Sequence, residues 1–180
     1  MDHVLVVCTG NICRSPMAER LLTARIGSTV RVESAGLLAS GVSSPAEAVD
    51  AMREFGVDIS THLSRRVDQE MLARADLVIG MAREHVREVT VISKTVWPKV
   101  FTLKELVRRG KEFGARSGSE TLTDWLVRIS LDREHTALLG DSQEDDVEDP
   151  IGGTFEQFTK TVDQISALVD ELVELAWSED

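Results

Sequence analysis

Val4-Leu5-Val6-Val7 is an unbroken apolar run near the chain start, too short for a helical stripe and suited to a buried strand. Comparable short segments predict strands over 3–8, 30–35, 76–81 and 99–103. Helical patterns lie between them, the alternation expected of successive βαβ units. One helix opens in Ser15-Pro16-Met17-Ala18, with Pro16 suited to the first helical position. A second opens at Ser44-Pro45-Ala46-Glu47, where Ser44 and Glu47 form a candidate capping box, and stops at Gly56. Residues 152–177 set Phe155, Phe158, Val162, Ile165, Val169, Leu172 and Leu175 on one face, predicting a long amphipathic helix packed on the sheet. Leu103 to Phe113 and Leu122 to Leu131 are also helical, joined by a flexible Gly114-Ala115-Arg116-Ser117-Gly118-Ser119 link. The expected fold is a single three-layer α/β domain spanning 1–180. It holds a small parallel sheet of about four strands with helices on both faces.

Composition narrows the picture. A length of 180 residues supports a real core in one domain. The net charge of −11 argues against nucleic acid or an anionic membrane as the main partner. No apolar run approaches the ~18 residues of a membrane span, and no basic-then-apolar leader precedes the first strand. A cytoplasmic protein is expected, as a monomer or weak dimer. Two cysteines do not make a disulfide scaffold. Against the acidic whole, Arg108, Arg109, Lys111, Arg116, Arg128 and Arg133 make the insertion-like segment 105–145 locally basic. A solvated helical hairpin is the expectation there, with a lid or an acidic-partner contact as alternatives.

The chemistry concentrates in Cys8-Thr9-Gly10-Asn11-Ile12-Cys13-Arg14-Ser15-Pro16. A strand, a tight loop and a helix N-terminus form a cradle for an anion, because the first helical N–H groups are unpaired and the dipole is positive there. Positive charge at such a site favours the thiolate, the attacking form of cysteine. Arg14 offers a planar fork to two phosphate oxygens, and a hydroxyl from Ser15 or Thr9 is placed to donate to Cys8. Cys-x5-Arg alone is a weak signal; the preceding strand and the following Ser-Pro strengthen it. The bland alternative is a buried strand-end thiol beside a solvated arginine. A metal site built from Cys8, Cys13, His62 and an aspartate lacks the usual zinc spacing, so no metal or other cofactor is expected.

The stretch from Val7 to Glu19, VCTGNICRSPMAE, resembles the phosphate-binding loop of the low-molecular-weight protein tyrosine phosphatases. The likeness continues at Glu33-Ser34-Ala35-Gly36, at Gly56 to Arg66 (GVDISTHLSRR) and at Ala75 to Met81. It resumes over Lys99 to Leu103 and at Asp149-Pro150. It implies a cysteine-dependent phosphatase acting on a phosphorylated protein or peptide through a phosphocysteine. Cys8 is then the nucleophile and Arg14 the clamp, with Thr9 to Ser15 around the phosphate. Asp149 would be the general acid that protonates the leaving oxygen, presented on a loop stiffened by Pro150. Asp145 and Asp146 read as an ordinary solvated acidic loop. By the same resemblance Asn11, Ser34 and His62 brace the loop backbone, although His62 also reads as a plain helix-side histidine. Cys13 would pair reversibly with Cys8 on oxidation or simply fill the core.

Substrate signals point two ways. Tyrosine-directed relatives carry aromatics near the pocket, whereas this chain has no Tyr and reads Ile151-Gly152-Gly153 after Asp149-Pro150. A phenyl ring would meet aliphatic walls at Leu38, Ile12 and Ile151. The bacterial protein-arginine phosphatase branch is similar in the stretch from Glu33 to Ser40, in Lys99 to Glu105 (KVFTLKE) and in Asp-Pro-x-Gly-Gly. That branch has Thr where this chain has Ile12, the tyrosine-type residue. Phosphotyrosine is therefore the leading expectation and phosphoarginine the alternative. Less favoured are arsenate reduction, for which the two cysteines exclude a three-thiol internal relay, and a non-catalytic phosphate-binding module.

Overall fold

The computed structural model describes residues 1–38 and 40–178; Ala39, in the loop after the second strand, lies outside it. The strands are β1 (Asp2–Cys8), β2 (Val30–Gly36), β3 (Leu77–Gly80) and β4 (Val100–Thr102). They form one sheet of order β2-β1-β3-β4, with every neighbouring pair parallel. Val4 and Val6 face one side of β1 and Leu5 and Val7 the other, and all four are buried. That two-sided burial explains why β1 is a continuous apolar run rather than an alternating one.

Helices α1 (Arg14–Ile26), α2 (Ala46–Glu54), α5 (Leu103–Phe113), α6 (Leu122–Ile129) and α7 (Phe155–Ala176) pack on the Val4/Val6 face. Helices α3 (Gln69–Arg74) and α4 (Arg83–Ile92) pack on the Leu5/Val7 face. The strand order reverses between β1 and β3, so the loop after β1 opens at a topological switch point. Doubly wound folds bind ligands at that place.

Local chemistry moved several boundaries. Helix α1 starts at Arg14, which puts Pro16 third in its first turn, where a missing N–H costs no intrahelical bond. Helix α2 is capped by Pro45 with no side-chain bond, and Ser44 Oγ is buried without a partner among the described residues, so the expected Ser44–Glu47 box does not form. Capping boxes occur instead at Thr102 with Glu105, opening α5, and at Thr154 with Gln157, opening α7. Along α7, Phe158, Val162, Ile165, Val169 and Leu172 are buried as expected, whereas Phe155 is 43% exposed.

Segment 105–145 is not a solvated hairpin. Leu122, Trp125, Leu126 and Ile129 of α6 enter the main core, and Trp125 is fully buried. Of its basic residues, Arg109, Arg116, Arg128 and Arg133 make hydrogen bonds within the protein, whereas Lys111 is exposed. Arg133 pairs with Glu105 at 2.7 Å while stacking over Trp97 and Phe101. Arg128 binds Glu120 and the carbonyls of Phe113 and Ala115. Arg109 donates to the carbonyls of Ile129 and Leu131, and Arg116 to Asp2. These guanidinium groups close the ends of α5 and α6, so they offer little to an acidic partner.

Candidate active site

Register builds the site. Cys8 pairs with Gly36 across β1 and β2, and the loop from Thr9 to Cys13 folds back over that glycine. A Cβ on Gly36 would stand 2.8 Å from the Asn11 backbone nitrogen and 2.9 Å from Gly10 C, so only glycine lets the loop lie this close to the sheet.

The loop turns at Asn11, a fully buried residue with φ 52°. Such a conformation costs on the order of 1–3 kcal/mol and persists only where surrounding contacts hold it. Here every polar group of Asn11 is engaged. Its N–H donates to Cys8 Sγ at 3.2 Å, and its carbonyl accepts from His62 Nε2 at 2.7 Å. Its Oδ1 accepts from the Arg65 N–H at 2.9 Å. Its Nδ2 reaches Ser15 Oγ at 2.9 Å and Ser34 Oγ at 2.8 Å. Ser34 in turn donates to Glu19. The contact made by His62 favours loop support over the plain helix-side alternative.

Cys8 is buried and its sulfur lies 2.9 Å from Ser15 Oγ. Ser15 is thus the hydroxyl beside the thiol, while Thr9 turns away toward Arg14, Glu84 and His85. Cys8, Arg14, Asp149, Ile12, Leu38 and Ile151 line one cavity of about 150 Å³, with Thr9, Gly10 and Cys13 also on its wall. Burial pushes the Cys13 thiol up to about 12, and the charges of Asp149 and Cys8 add to it. Cys13 is thereby kept protonated.

Arg14 is 4% exposed and held from several sides. Its Nη1 donates to the Val147 carbonyl at 3.1 Å, and its Nη2 to Asp149 at 2.5 Å and Thr9 Oγ1 at 3.4 Å. Asp149 arrives on a clamped loop. Asp145, expected to be solvated, is 3% exposed and accepts from Arg83 at 2.7 Å and Arg108 at 2.8 Å. Asp146 accepts from the backbone N–H of Arg83 and of Ser142. Asp145 is buried and Asp146 half-buried at little cost, because such donors meet their charge and lone pairs. Among the described residues, no group of three or more acidic, histidine or cysteine side chains is arranged to hold a metal.

The family model described as low molecular weight phosphotyrosine protein phosphatase matches residues 3–114. The chain belongs to that family. It is 44% identical over 97 residues to low molecular weight protein-tyrosine-phosphatase Etp of Escherichia coli (strain K12), a match covering 53% of this chain and 64% of that protein. The chain therefore spans just under two thirds of that relative's length. It is 33% identical over 174 residues to the protein-arginine-phosphatase of Bacillus subtilis (strain 168), covering 94% of this chain and 93% of the other. Among solved structures, the low molecular weight protein tyrosine phosphatase from T. tengcongensis superposes with a TM-score of 0.72 at 34% identity, covering 97% and 99% of the two chains.

Within this family fold, the loop, Arg14 and Asp149 line one cavity. Sequence reasoning missed Glu19, Arg65, Glu84 and His85. Glu19 and Arg65 sit inside stretches that carried the resemblance, without a role assigned. His85 had no motif, since it reaches the site only through the pairing of β1 with β3. Burial, followed by the charges of Arg14 and Arg87, depresses His85 to about 3, so its imidazole is neutral.

Proposed function

We propose that this protein is a cysteine-dependent phosphatase that hydrolyses phosphotyrosine in proteins through a phosphocysteine. The observation that carries this reading is one small cavity shared by a hydrogen-bonded thiol, a buried guanidinium and a carboxyl group. A phosphate entering it takes over Arg14 and displaces Asp149 from the guanidinium. Cys8 sulfur attacks phosphorus in line as the P–O bond breaks, and Asp149 gives its proton to the leaving oxygen. The developing charge on the equatorial oxygens falls to Arg14 and the loop. Asp149, now a carboxylate, takes a proton from water; the hydroxide cleaves the S–P bond, releasing phosphate and the Cys8 thiolate and leaving Asp149 protonated again.

Ile12, Leu38 and Ile151 make the cavity mouth aliphatic, which supports a flat apolar leaving group. A second reading, hydrolysis of protein phosphoarginine, is supported by the near full-length match to a protein-arginine-phosphatase. Paired peptides carrying phosphotyrosine or phosphoarginine separate the two. The shared chemistry is tested on a generic aryl phosphate. Wild type should turn it over and Cys8→Ser should lose at least about a thousandfold. An inactive wild type, or an active variant, sinks the proposal.

A further inference from the structure

Thr9 Oγ1 sits among three partners: His85 Nε2 at 3.0 Å, Glu84 Oε1 at 3.2 Å and Arg14 Nη2 at 3.4 Å. Their chemistry leaves one consistent assignment. A guanidinium only donates and a carboxylate only accepts, so the hydroxyl receives from Arg14 and sends its single proton to Glu84. Its other lone pair is left for His85, which must donate from Nε2. That nitrogen also lies 3.2 Å from Glu84 Oε1, which favours the same tautomer. A hydroxyl held in this way cannot rotate its proton toward the arginine.

We infer that His85 is a positioning residue: acting through the Thr9 hydroxyl, it fixes the Arg14 guanidinium for phosphate. The inference rests on the phosphatase reading for its purpose. The remaining contacts of Arg14 explain why such an anchor is needed. Asp149 and the Val147 carbonyl both belong to the acid loop, and Asp149 must leave the guanidinium to reach the ester oxygen. The Thr9 contact is the one made by the phosphate loop itself, so it persists once phosphate has displaced Asp149.

The cost of the arrangement points the same way. His85 is completely buried, and its Nδ1 has no hydrogen-bond partner among the described residues. A buried unpaired ring nitrogen burdens the fold, and an apolar side chain of similar shape would relieve it. Gly80, at the end of β3, makes room for the ring: a Cβ there would lie 3.2 Å from His85 Cβ and 3.0 Å from Val86.

Calorimetric titration with inorganic phosphate tests this, because it needs no turnover. If wild type fails on aryl phosphates, the functional reading falls while this measurement still stands. His85→Leu should weaken phosphate binding roughly tenfold, the effect of one lost hydrogen bond, and raise KM more than it lowers kcat. Its melting temperature at neutral pH should hold or rise. His85→Gln, whose amide N–H reaches the same place, should recover most of the affinity. In a Thr9→Val background, His85→Leu should add nothing. Unchanged phosphate affinity in His85→Leu overturns the inference. So does a weakening that adds fully to that of Thr9→Val, or a loss in both His85 variants that tracks a fall in melting temperature.

Discussion

At the scale of single residues, the site depends on a few atoms whose neighbours leave them no freedom. Asp149 accepts from Arg14 at 2.5 Å, which places the proposed acid beside the proposed phosphate clamp. Asp149→Asn cannot give a proton, so kcat should drop about 100-fold or more on phenyl-type esters with poor leaving groups and far less on good ones. Steady-state rates across a leaving-group series check this, and equal losses would remove Asp149 from the role. Gly36 is the counterpart in the backbone. Gly36→Ala would push a methyl group against the Asn11 and Gly10 backbone. Phosphate affinity should fall at least tenfold, since the loop must lift; an unchanged titration would show that it gives way freely. Cys8, Arg14 and Asp149, which line one cavity, were readable from sequence because the proposed chemistry demands those side chains. Glu84 and His85 were not, because any polar pair on a surface-like helix start looks the same.

At the scale of elements, boundaries followed capping chemistry more than hydrophobic pattern. Ser44-x-x-Glu47 has the letters of a capping box, yet Pro45 takes the cap, while Thr102 and Thr154 supply the boxes that were not foreseen. The largest revision concerns α6. Its spacing of Leu122, Trp125, Leu126 and Ile129 was read correctly as helical, but a hairpin on the surface and a helix against the core share one pattern. Trp125→Ala should therefore cost roughly 3–5 kcal/mol in urea unfolding. A loss below about 1 kcal/mol would return the segment to the surface. Asp145 carries the same lesson with charge. It lay in a run of acids that suggested solvent, and Arg83 and Arg108, distant in sequence, made its burial favourable.

At the scale of the whole molecule, the pairing of β1 with both β2 and β3 turns separate segments into one site. It also produces a pH effect. His85 is neutral in the folded protein down to about 3, against an ordinary 6.5 when unfolded. As pH falls through that window the unfolded chain binds a proton that the native chain refuses, so stability declines; above the window the effect vanishes. Between about pH 7 and pH 4.5, wild type should lose on the order of 2 kcal/mol more than His85→Leu. Urea midpoints at the two values decide it, and parallel losses would absolve His85. The parallel α/β class, the strands and the anion-cradle loop are legible in the residues alone, because apolar period and motif chemistry are local properties. That α6 is core, that Asp145 is buried in an ion-pair cluster and that Thr9 contacts His85 emerges only on folding. Each of these depends on a partner distant along the chain, which folding alone brings within hydrogen-bond or van der Waals reach.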